Sequence, residues 1–303
     1  LSGLIVRINE ALEKYRNNLP KTAEYEKWLF QAGFWLIGAK ILKDKGVESF
    51  KTLDVSNIDD LIAKVKRHYN ADTCPDIAKK NQKLALTKVA DEIVKPVSSL
   101  AHITTESLAY VYENALVTKE TRKALGTHAT PSWLVYYIVW QVADWISKIP
   151  QDDRIIFEPA CGHAPFLTAG AMLLNMLYKG KEENRHKYLK DHLIGIEKDP
   201  FAREIARLAL TLADIPNKNG WRIFNKDIYS TDILSETAKN SMIFFCNPPF
   251  EDFNDDKKNY KGLETNNKAA EVITKVLHNL PEKAVFGVIL PQGFLHKKNL
   301  SGL

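Results

Sequence analysis

The order of apolar and amphipathic stretches from residue 131 onward constrains the fold most. Short apolar runs, of the length of buried strands, alternate there with stretches of helical spacing. Strands that alternate with helices predict a doubly wound α/β fold, with a parallel sheet covered on both faces. The predicted strands are 154–158, 193–196, 221–224, 242–246 and 285–290, and the predicted helices are 131–147, 165–178, 200–213 and 268–280.

Residues 1–117 carry a different pattern. Apolar residues between Trp28 and Leu42 recur at spacings of three and four, which predicts an amphipathic helix, and no strand-like alternation occurs. We therefore predict an all-helical N-terminal domain over 1–117 and an α/β domain over 118–303. Because the fifth strand ends close to residue 303, we expect the natural protein to continue beyond it. Further helices are predicted over 57–68, 76–94 and 104–117.

Composition limits the class of protein. With 45% hydrophobic and 26% charged residues, the chain is typical of a globular protein. A net charge of +5 is compatible with nucleic acid, but no basic tail is present, and the lysine-containing stretches 179–190 and 257–268 are interpreted as solvated faces. Three scattered cysteines predict neither a disulfide framework nor a metal site. This cysteine usage fits a reducing, cytoplasmic setting. No apolar run has the length of a membrane span, so we expect no transmembrane segment.

The tetrapeptide Asn247-Pro248-Pro249-Phe250 directly follows the apolar run 242–246. Each proline lacks an N–H and fixes its own φ, so the backbone must leave the sheet there. An amide, a proline carbonyl and an aromatic ring then lie at the carboxyl edge of a strand, where open α/β sheets bind ligands. Two acceptors beside a flat apolar ring suit an aromatic amine. The alternative is a simple turn, since Asn-Pro commonly begins one.

Three further strand ends carry candidate ligand contacts. Gly162, after the first strand, permits close approach of a ligand, and we expect the N–H groups of the following helix to meet a carboxylate. Glu197, after the second strand, is placed to accept from ribose hydroxyls, whereas Asp199 is expected to cap a helix. Asp227, after the third strand, can accept from an adenine amino group while Ile228 packs on the base, or it is an ordinary loop acid.

Taken in this order, the segments resemble the S-adenosylmethionine-dependent amino methyltransferases, and most closely the DNA adenine-N6 methyltransferases. Residues 126–133 look like that family's Thr-Pro segment, and residues 289–293 resemble its fifth-strand Leu-Pro motif. The motif order matches the group that includes type I modification subunits and fused restriction–modification enzymes, which often carry a helical N-terminal region. The resemblance covers about 122–295 and implies a Rossmann-like methyltransferase fold.

The resemblance also implies roles for individual residues. Asn247 and the Pro248 carbonyl would orient the target amine, and Phe250 would stack on the target base. A departure occurs at Ala164, where the family usually has a second glycine, and we expect its Cβ to crowd the cofactor. The catalytic motif is Asn247, Pro248, Pro249 and Phe250; the methionine pocket is Thr130, Pro131, Glu158, Ala160, Gly162 and Phe166; Glu197 holds the ribose, and Asp227 with Ile228 the cofactor adenine.

By resemblance, the chain is a site-specific adenine DNA methyltransferase of a restriction–modification or related defence system. Its cofactor would be S-adenosylmethionine and its substrate double-stranded DNA with a flipped adenine. A specificity subunit, a restriction subunit or a C-terminal recognition domain would complete it. The alternatives are a methyltransferase of the same fold for RNA or protein glutamine, and a non-catalytic DNA-binding subunit. A nuclease is disfavoured, because no predicted strands surround Pro75-Asp76 and the lysines after it.

Overall fold

The computed structural model describes residues 10, 23–54, 56–69, 80–94, 99–103, 130–214, 217, 220–230, 232–253, 258–260, 263–292 and 294, and elements are numbered over these residues. The chain divides into two compact units. One comprises Leu1–Thr118 with Asp214–Gly220, and the other comprises Lys119–Ala213 with Trp221–Leu303. The domain limits predicted from the sequence, 1–117 and 118–303, remain a proposal.

The first unit is helical where it is described. Helix α1 packs against α2 and α3, and every residue from Trp35 to Leu42 is buried. The amphipathic pattern predicted for this helix is therefore wrong over 35–42, because residues on every face of the helix are buried there. Asp44 ends α1, binds Lys40 at 2.6 Å and accepts a hydrogen bond from the N–H of Leu100 at 2.7 Å. The predicted helix 104–117 lies outside the described residues. The helices are α1 Ala23–Asp44, α2 Ile58–Tyr69 and α3 Lys80–Val94, with a 3-10 turn at Glu48–Phe50.

The second unit contains a five-stranded parallel sheet, as the alternation of strands and helices predicts. Its spatial order is β3-β2-β1-β4-β7. All four residues of β4 are buried, which fits a central strand covered on both faces. The sheet strands are β1 Ile156–Glu158, β2 Leu193–Glu197, β3 Arg222–Asn225, β4 Ile243–Cys246 and β7 Val285–Val288.

The helices of this unit differ from the predictions at two places. The single helix predicted over 131–147 is two helices, because Val142 has φ −103° and ψ 2° and ends the first one, and Pro131 precedes that helix. The polar helix α7 and the short helix α9 were not predicted. The helices are α4 Ser132–Gln141, α5 Ala143–Lys148, α6 Pro165–Leu177, α7 Glu182–His192, α8 Pro200–Ala213, α9 Ile233–Ala238 and α10 Lys268–Leu277.

A small antiparallel hairpin, which the sequence did not predict, lies between β4 and α10. It consists of β5 Lys258–Tyr260 and β6 Leu263–Thr265. The main chain closes its base, since Phe253 donates to the Asn266 carbonyl at 2.6 Å. In sequence, the hairpin lies between the tetrapeptide at 247–250 and α10.

Two apolar cores cover the two faces of the sheet, because successive strand residues point to opposite sides. On one face Phe166 of α6 stacks on Phe245 of β4 with a centroid distance of 5.4 Å. On the other face Phe157 and Phe244 pack at 6.2 Å. Within the described part of the chain, no helix is both long and apolar enough to pass through a membrane.

Candidate active site

The candidate site lies where the strand order of the sheet reverses. Strand β1 pairs with β2 on one side and with β4 on the other. Glu158 is the last residue of β1, and Asn247 directly follows β4. In open parallel sheets the connections diverge at this point and leave a crevice at the carboxyl ends of the strands. The topology thus brings two of the predicted site residues to the edge of adjacent strands.

Glu158 is buried beneath the start of α6. Its Oε2 accepts a hydrogen bond from the N–H of Leu167 at 3.1 Å, and the N–H of Phe166 also donates to this carboxyl. Burial raises its pKa well above the ordinary value, and the nearby Glu197 raises it further. Pro165, the first residue of α6, has no N–H, and Glu158 accepts from the next two N–H donors of that turn. The structure therefore gives to Glu158 the donors that we had expected to meet a ligand carboxylate.

The loop between β1 and α6 contains two residues with left-handed backbone. Gly162 has φ 53°, and a Cβ built there would meet no atom within 4 Å, so open space adjoins it. Ala164 has φ 64° and ψ 47°, which costs an alanine about 1 kcal/mol. Its methyl group is fully buried in the core with residues such as Phe166. The methyl group that we had expected to crowd a cofactor therefore packs in the core.

His163, between these two residues, is a site feature that the sequence analysis did not single out. It is 7% exposed, and burial lowers its pKa to about 4. The imidazole is therefore neutral at physiological pH. The available signal was a histidine directly after Gly162, but its burial follows only from the fold.

Glu197 joins the glycine loop to the end of β2. Its Oε2 accepts from the N–H of Gly162 at 2.9 Å, and its Oε1 accepts from the N–H of Asp199 at 2.7 Å. Its pKa is raised, mainly by burial. The side chain of Asn225 donates to the backbone carbonyls of Glu197 and Lys198, at 2.9 and 2.8 Å. These bonds fix the carboxylate while each of its oxygens keeps further acceptor capacity.

Asp227 is held by neighbours that the sequence did not reveal. Its Oδ2 lies 2.8 Å from the Nζ of Lys198, and its Oδ1 accepts from the N–H of Tyr229 at 2.9 Å. Lys198 is largely exposed, so this ion pair contributes little to stability. Ile228 is 6% exposed and belongs to the core on the second face of the sheet. Only a small part of its side chain therefore reaches the surface.

Asn247 and Thr130, assigned to different tasks by the resemblance, are in direct contact. The Nδ2 of Asn247 donates to the Oγ1 of Thr130 at 2.9 Å. Thr130 is buried and stands immediately before Pro131 and α4, whereas Asn247 stands immediately after β4. The bond therefore orients the amide plane from a segment 117 residues away in sequence.

The rest of the tetrapeptide is anchored by α10. Pro248 is buried, Pro249 and Phe250 are partly buried, and the Phe250 ring packs with Ala269, Ala270, Ile273 and Phe294. Asn267 caps α10 by accepting from the N–H of Ala270 at 3.0 Å, and its Nδ2 donates to the Phe250 carbonyl at 3.4 Å. The segment after Asn247 is thereby tied to the helix that follows the hairpin.

The remaining candidates lie at different depths. Phe166 is fully buried and stacks on Phe245, Ala160 is partly buried, and Pro131 is exposed. Cys161 and Cys246 are buried, and burial raises the pKa of both thiols well above the ordinary value. Both cysteines are therefore packing residues.

A comparison with models of protein families assigns the chain to a family. The model of the N-6 DNA methylase family matches residues 104–302, more than half of the chain. The chain belongs to this family. The assignment confirms the predicted resemblance and the predicted class of activity, methylation of adenine N6 in DNA. No curated protein sequence matches the chain significantly.

Solved structures of similar fold confirm the predicted fold class. A modification subunit attributed to a type I restriction enzyme from Vibrio vulnificus YJ016 matches with a TM-score of 0.62 and 15% identity, over 99% of this chain and 74% of that one. The type I methyltransferase subunit from Streptococcus thermophilus matches with a TM-score of 0.54 and 14% identity, over 97% and 75%. The type IIG restriction endonuclease BpuSI matches with a TM-score of 0.59 and 17% identity, over 96% and 34%. This chain therefore spans about a third of BpuSI.

Proposed function

We propose that the chain transfers a methyl group from S-adenosylmethionine to N6 of a flipped adenine in double-stranded DNA, as part of a restriction–modification or related defence system. The observation that carries the proposal is the position of Asn247, at the switch point of the sheet and bonded to Thr130. The similar folds of a type I modification subunit and of a type IIG restriction endonuclease support a restriction–modification system, with a specificity subunit, restriction subunit or recognition domain as partner.

The residues along the crevice fit S-adenosylmethionine. The buried carboxyl of Glu158 would pair with the ammonium group of this cofactor. The carboxylate of Glu197, held by two backbone N–H groups, would accept hydrogen bonds from two ribose hydroxyls. The open space beside Gly162 leaves room for the ligand. When bound, this cofactor supplies an electrophilic methyl group on a positively charged sulfur.

The two ends of the cofactor are proposed to meet different segments. Thr130 and Pro131, which precede α4, would bind the methionine end together with Ala160. Phe166, whose N–H already donates to Glu158, would support this pocket from the core. The start of α4 favours the carboxylate of that end, because N–H groups at a helix start carry partial positive charge. Asp227 would accept from the adenine amino group. Lys198 holds that carboxylate in place, and the exposed edge of Ile228 would touch the base.

The target amine needs activation, since its lone pair is delocalised into the adenine ring. We propose that the Asn247 amide oxygen and the Pro248 carbonyl accept its two N–H groups, which favours a pyramidal nitrogen with a localised lone pair. Flipping the base out of the duplex costs a few kcal/mol. Stacking of the flipped base on Phe250 would offset about 1–3 kcal/mol of this cost. Orientation of the amine toward the methyl group then supplies much of the rate.

A labelled-methyl assay on duplex DNA, RNA and protein tests this function. We expect transfer to duplex DNA, and we expect Asn247→Ala to lower it by more than about a hundredfold. Calorimetric binding of S-adenosylmethionine should be largely unchanged in that variant. Asn240→Ala, an exposed asparagine at the end of α9, is the matched control.

Three results would contradict the proposal. Transfer to RNA or to protein glutamine in place of DNA would favour the methyltransferases of the same fold. Absence of cofactor binding in the unmodified chain would favour a non-catalytic DNA-binding subunit. Equal loss of cofactor binding and transfer in Asn247→Ala would remove the assigned role of the amide.

A further inference from the structure

Helix α4 exposes three large aromatic side chains on one face. Trp133, Tyr137 and Trp140 are 70%, 60% and 39% exposed. Their spacing of four and three residues places them in one row along the helix, which we call the aromatic stripe. On the opposite face Val135 and Val139 are buried in the core of the sheet. The helix thus offers an apolar surface on both sides.

The stripe continues onto the neighbouring helix α6. The hydroxyl of Tyr136 lies 3.4 Å from the Sδ of Met172, and Met172 and Met176 are 44% and 69% exposed. At roughly 200 Å² for a whole side chain of this size, the exposed fractions of the three aromatic residues of the stripe and the two methionines amount to roughly 600 Å². A patch of that size is at the upper end of what a monomer exposes and is often functional, and it would form the apolar core of an interface that buries about 800 Å² on each partner.

The uncharged composition of α4 favours a protein over a nucleic acid as the partner of the aromatic stripe. None of its ten residues, Ser132–Gln141, carries a charge. A nucleic acid would require lysine or arginine to neutralise its phosphates. A helix that is apolar on all sides is normally covered on all sides. The occupant of the stripe must therefore be apolar as well.

We propose that the aromatic stripe is the contact of a homodimer, in which α4 of two copies packs antiparallel across a two-fold axis. The stripe is self-complementary, because Trp133 and Trp140 lie at similar distances on either side of Tyr136 and Tyr137. An antiparallel pair brings Trp133 of one copy opposite Trp140 of the second, with Tyr137 close to the axis. An isologous interface requires this kind of symmetry, and the absence of charge on α4 avoids like-charge repulsion.

Charge-swap variants at Tyr137 test the dimer by analytical ultracentrifugation. Tyr137→Glu and Tyr137→Lys each place two like charges near the axis, so each should raise the dimer dissociation constant more than about tenfold. A mixture of the two variants should dimerise again, because opposite charges then meet. Phe224→Ser is the matched control, since this 36% exposed aromatic residue lies on β3, at the edge of the sheet opposite β7.

The proposal is overturned if the unmodified chain stays monomeric up to its solubility limit. It is equally overturned if the charged variants dimerise as the unmodified chain does, or if folded variants fail to dimerise when mixed. Circular dichroism checks folding. Trp140→Gln, which adds no charge, is a second variant that should weaken the dimer. Methyl transfer is assayed separately, so loss of the dimer leaves the proposed function unaffected.

Discussion

At the scale of single residues, burial of carboxyl groups is the main feature of the site. Glu158 and Glu197 end neighbouring strands, and burial raises the pKa of both. Their bonds to backbone N–H groups offset part of this cost. A buried carboxyl group lowers the free energy of unfolding of a protein. Such a group is expected where the function of a site requires a charge.

Glu158→Gln should remove a pH dependence of stability. With a folded-state pKa raised above the ordinary 4.5, the wild type loses stability as pH rises from that value through the folded pKa. Glutamine does not titrate and can still accept from the N–H of Leu167. The unfolding free energy of the variant, from urea titrations between about pH 5 and about pH 8, should therefore decline less with pH. Glu236→Gln, at an exposed position, should decline as the wild type does.

Ala164 should tolerate glycine but not valine. Glycine relieves the left-handed strain of about 1 kcal/mol and loses a buried methyl worth a similar amount. We expect Ala164→Gly to change the unfolding free energy by less than about 1 kcal/mol and the Kd for S-adenosylmethionine by less than about twofold. Ala164→Val should destabilise by more than about 2 kcal/mol, since β-branched residues avoid this backbone. Tighter cofactor binding in the glycine variant would show that the methyl does crowd the ligand.

At the scale of elements, the start of α4 and the end of β4 act together through Thr130 and Asn247. Thr130→Val removes the acceptor at nearly constant volume, and Thr130→Ser retains it. Since a hydrogen bond contributes about 1 kcal/mol, kcat for methyl transfer should fall about five- to tenfold in the valine variant. The serine variant should recover most of the rate. Equal kcat in both variants would contradict the positioning role.

The elements also show how far the sequence could be interpreted. Strands and helices with strong apolar periodicity, such as 200–213, were predicted to within a few residues. Helix α7 was missed because Tyr188 and Leu189 are its only buried residues. The break at Val142 was missed as well, since neither proline nor glycine marks it. Weak periodicity and a break set by packing leave no local signal.

At the scale of the whole molecule, topology assembles residues that are distant in sequence. The position of ligand contacts at the ends of strands followed from the predicted α/β fold, whereas the switch point between β1 and β4 is a finding of the structure. The contact between Thr130 and Asn247, and the ion pair of Lys198 with Asp227, did not follow, because they depend on side-chain placement. The burial of Phe166 and Ile228 did not follow from the sequence either, for the same reason. Strand ends indicate where a site lies, and packing decides which atoms face it.

The proposed domain division leads to a further prediction. All candidate cofactor residues lie between 130 and 228, inside the proposed α/β domain 118–303. We expect a purified 118–303 fragment to bind S-adenosylmethionine with a Kd within about threefold of that of the full chain, measured by calorimetry. A folded fragment that does not bind would show that residues 1–117 contribute to the cofactor site.

The two carboxyl groups at the ends of β1 and β2 make the crevice sensitive to the charge of its occupant. A positive ligand lowers the free-energy cost of ionising Glu158 and Glu197, whereas a neutral thioether offers less compensation. If the crevice binds S-adenosylmethionine as proposed, transfer of its methyl group to the target amine would leave the sulfur uncharged, and the same carboxyl groups would hold the spent cofactor less tightly. Release of that by-product would then favour the next turnover.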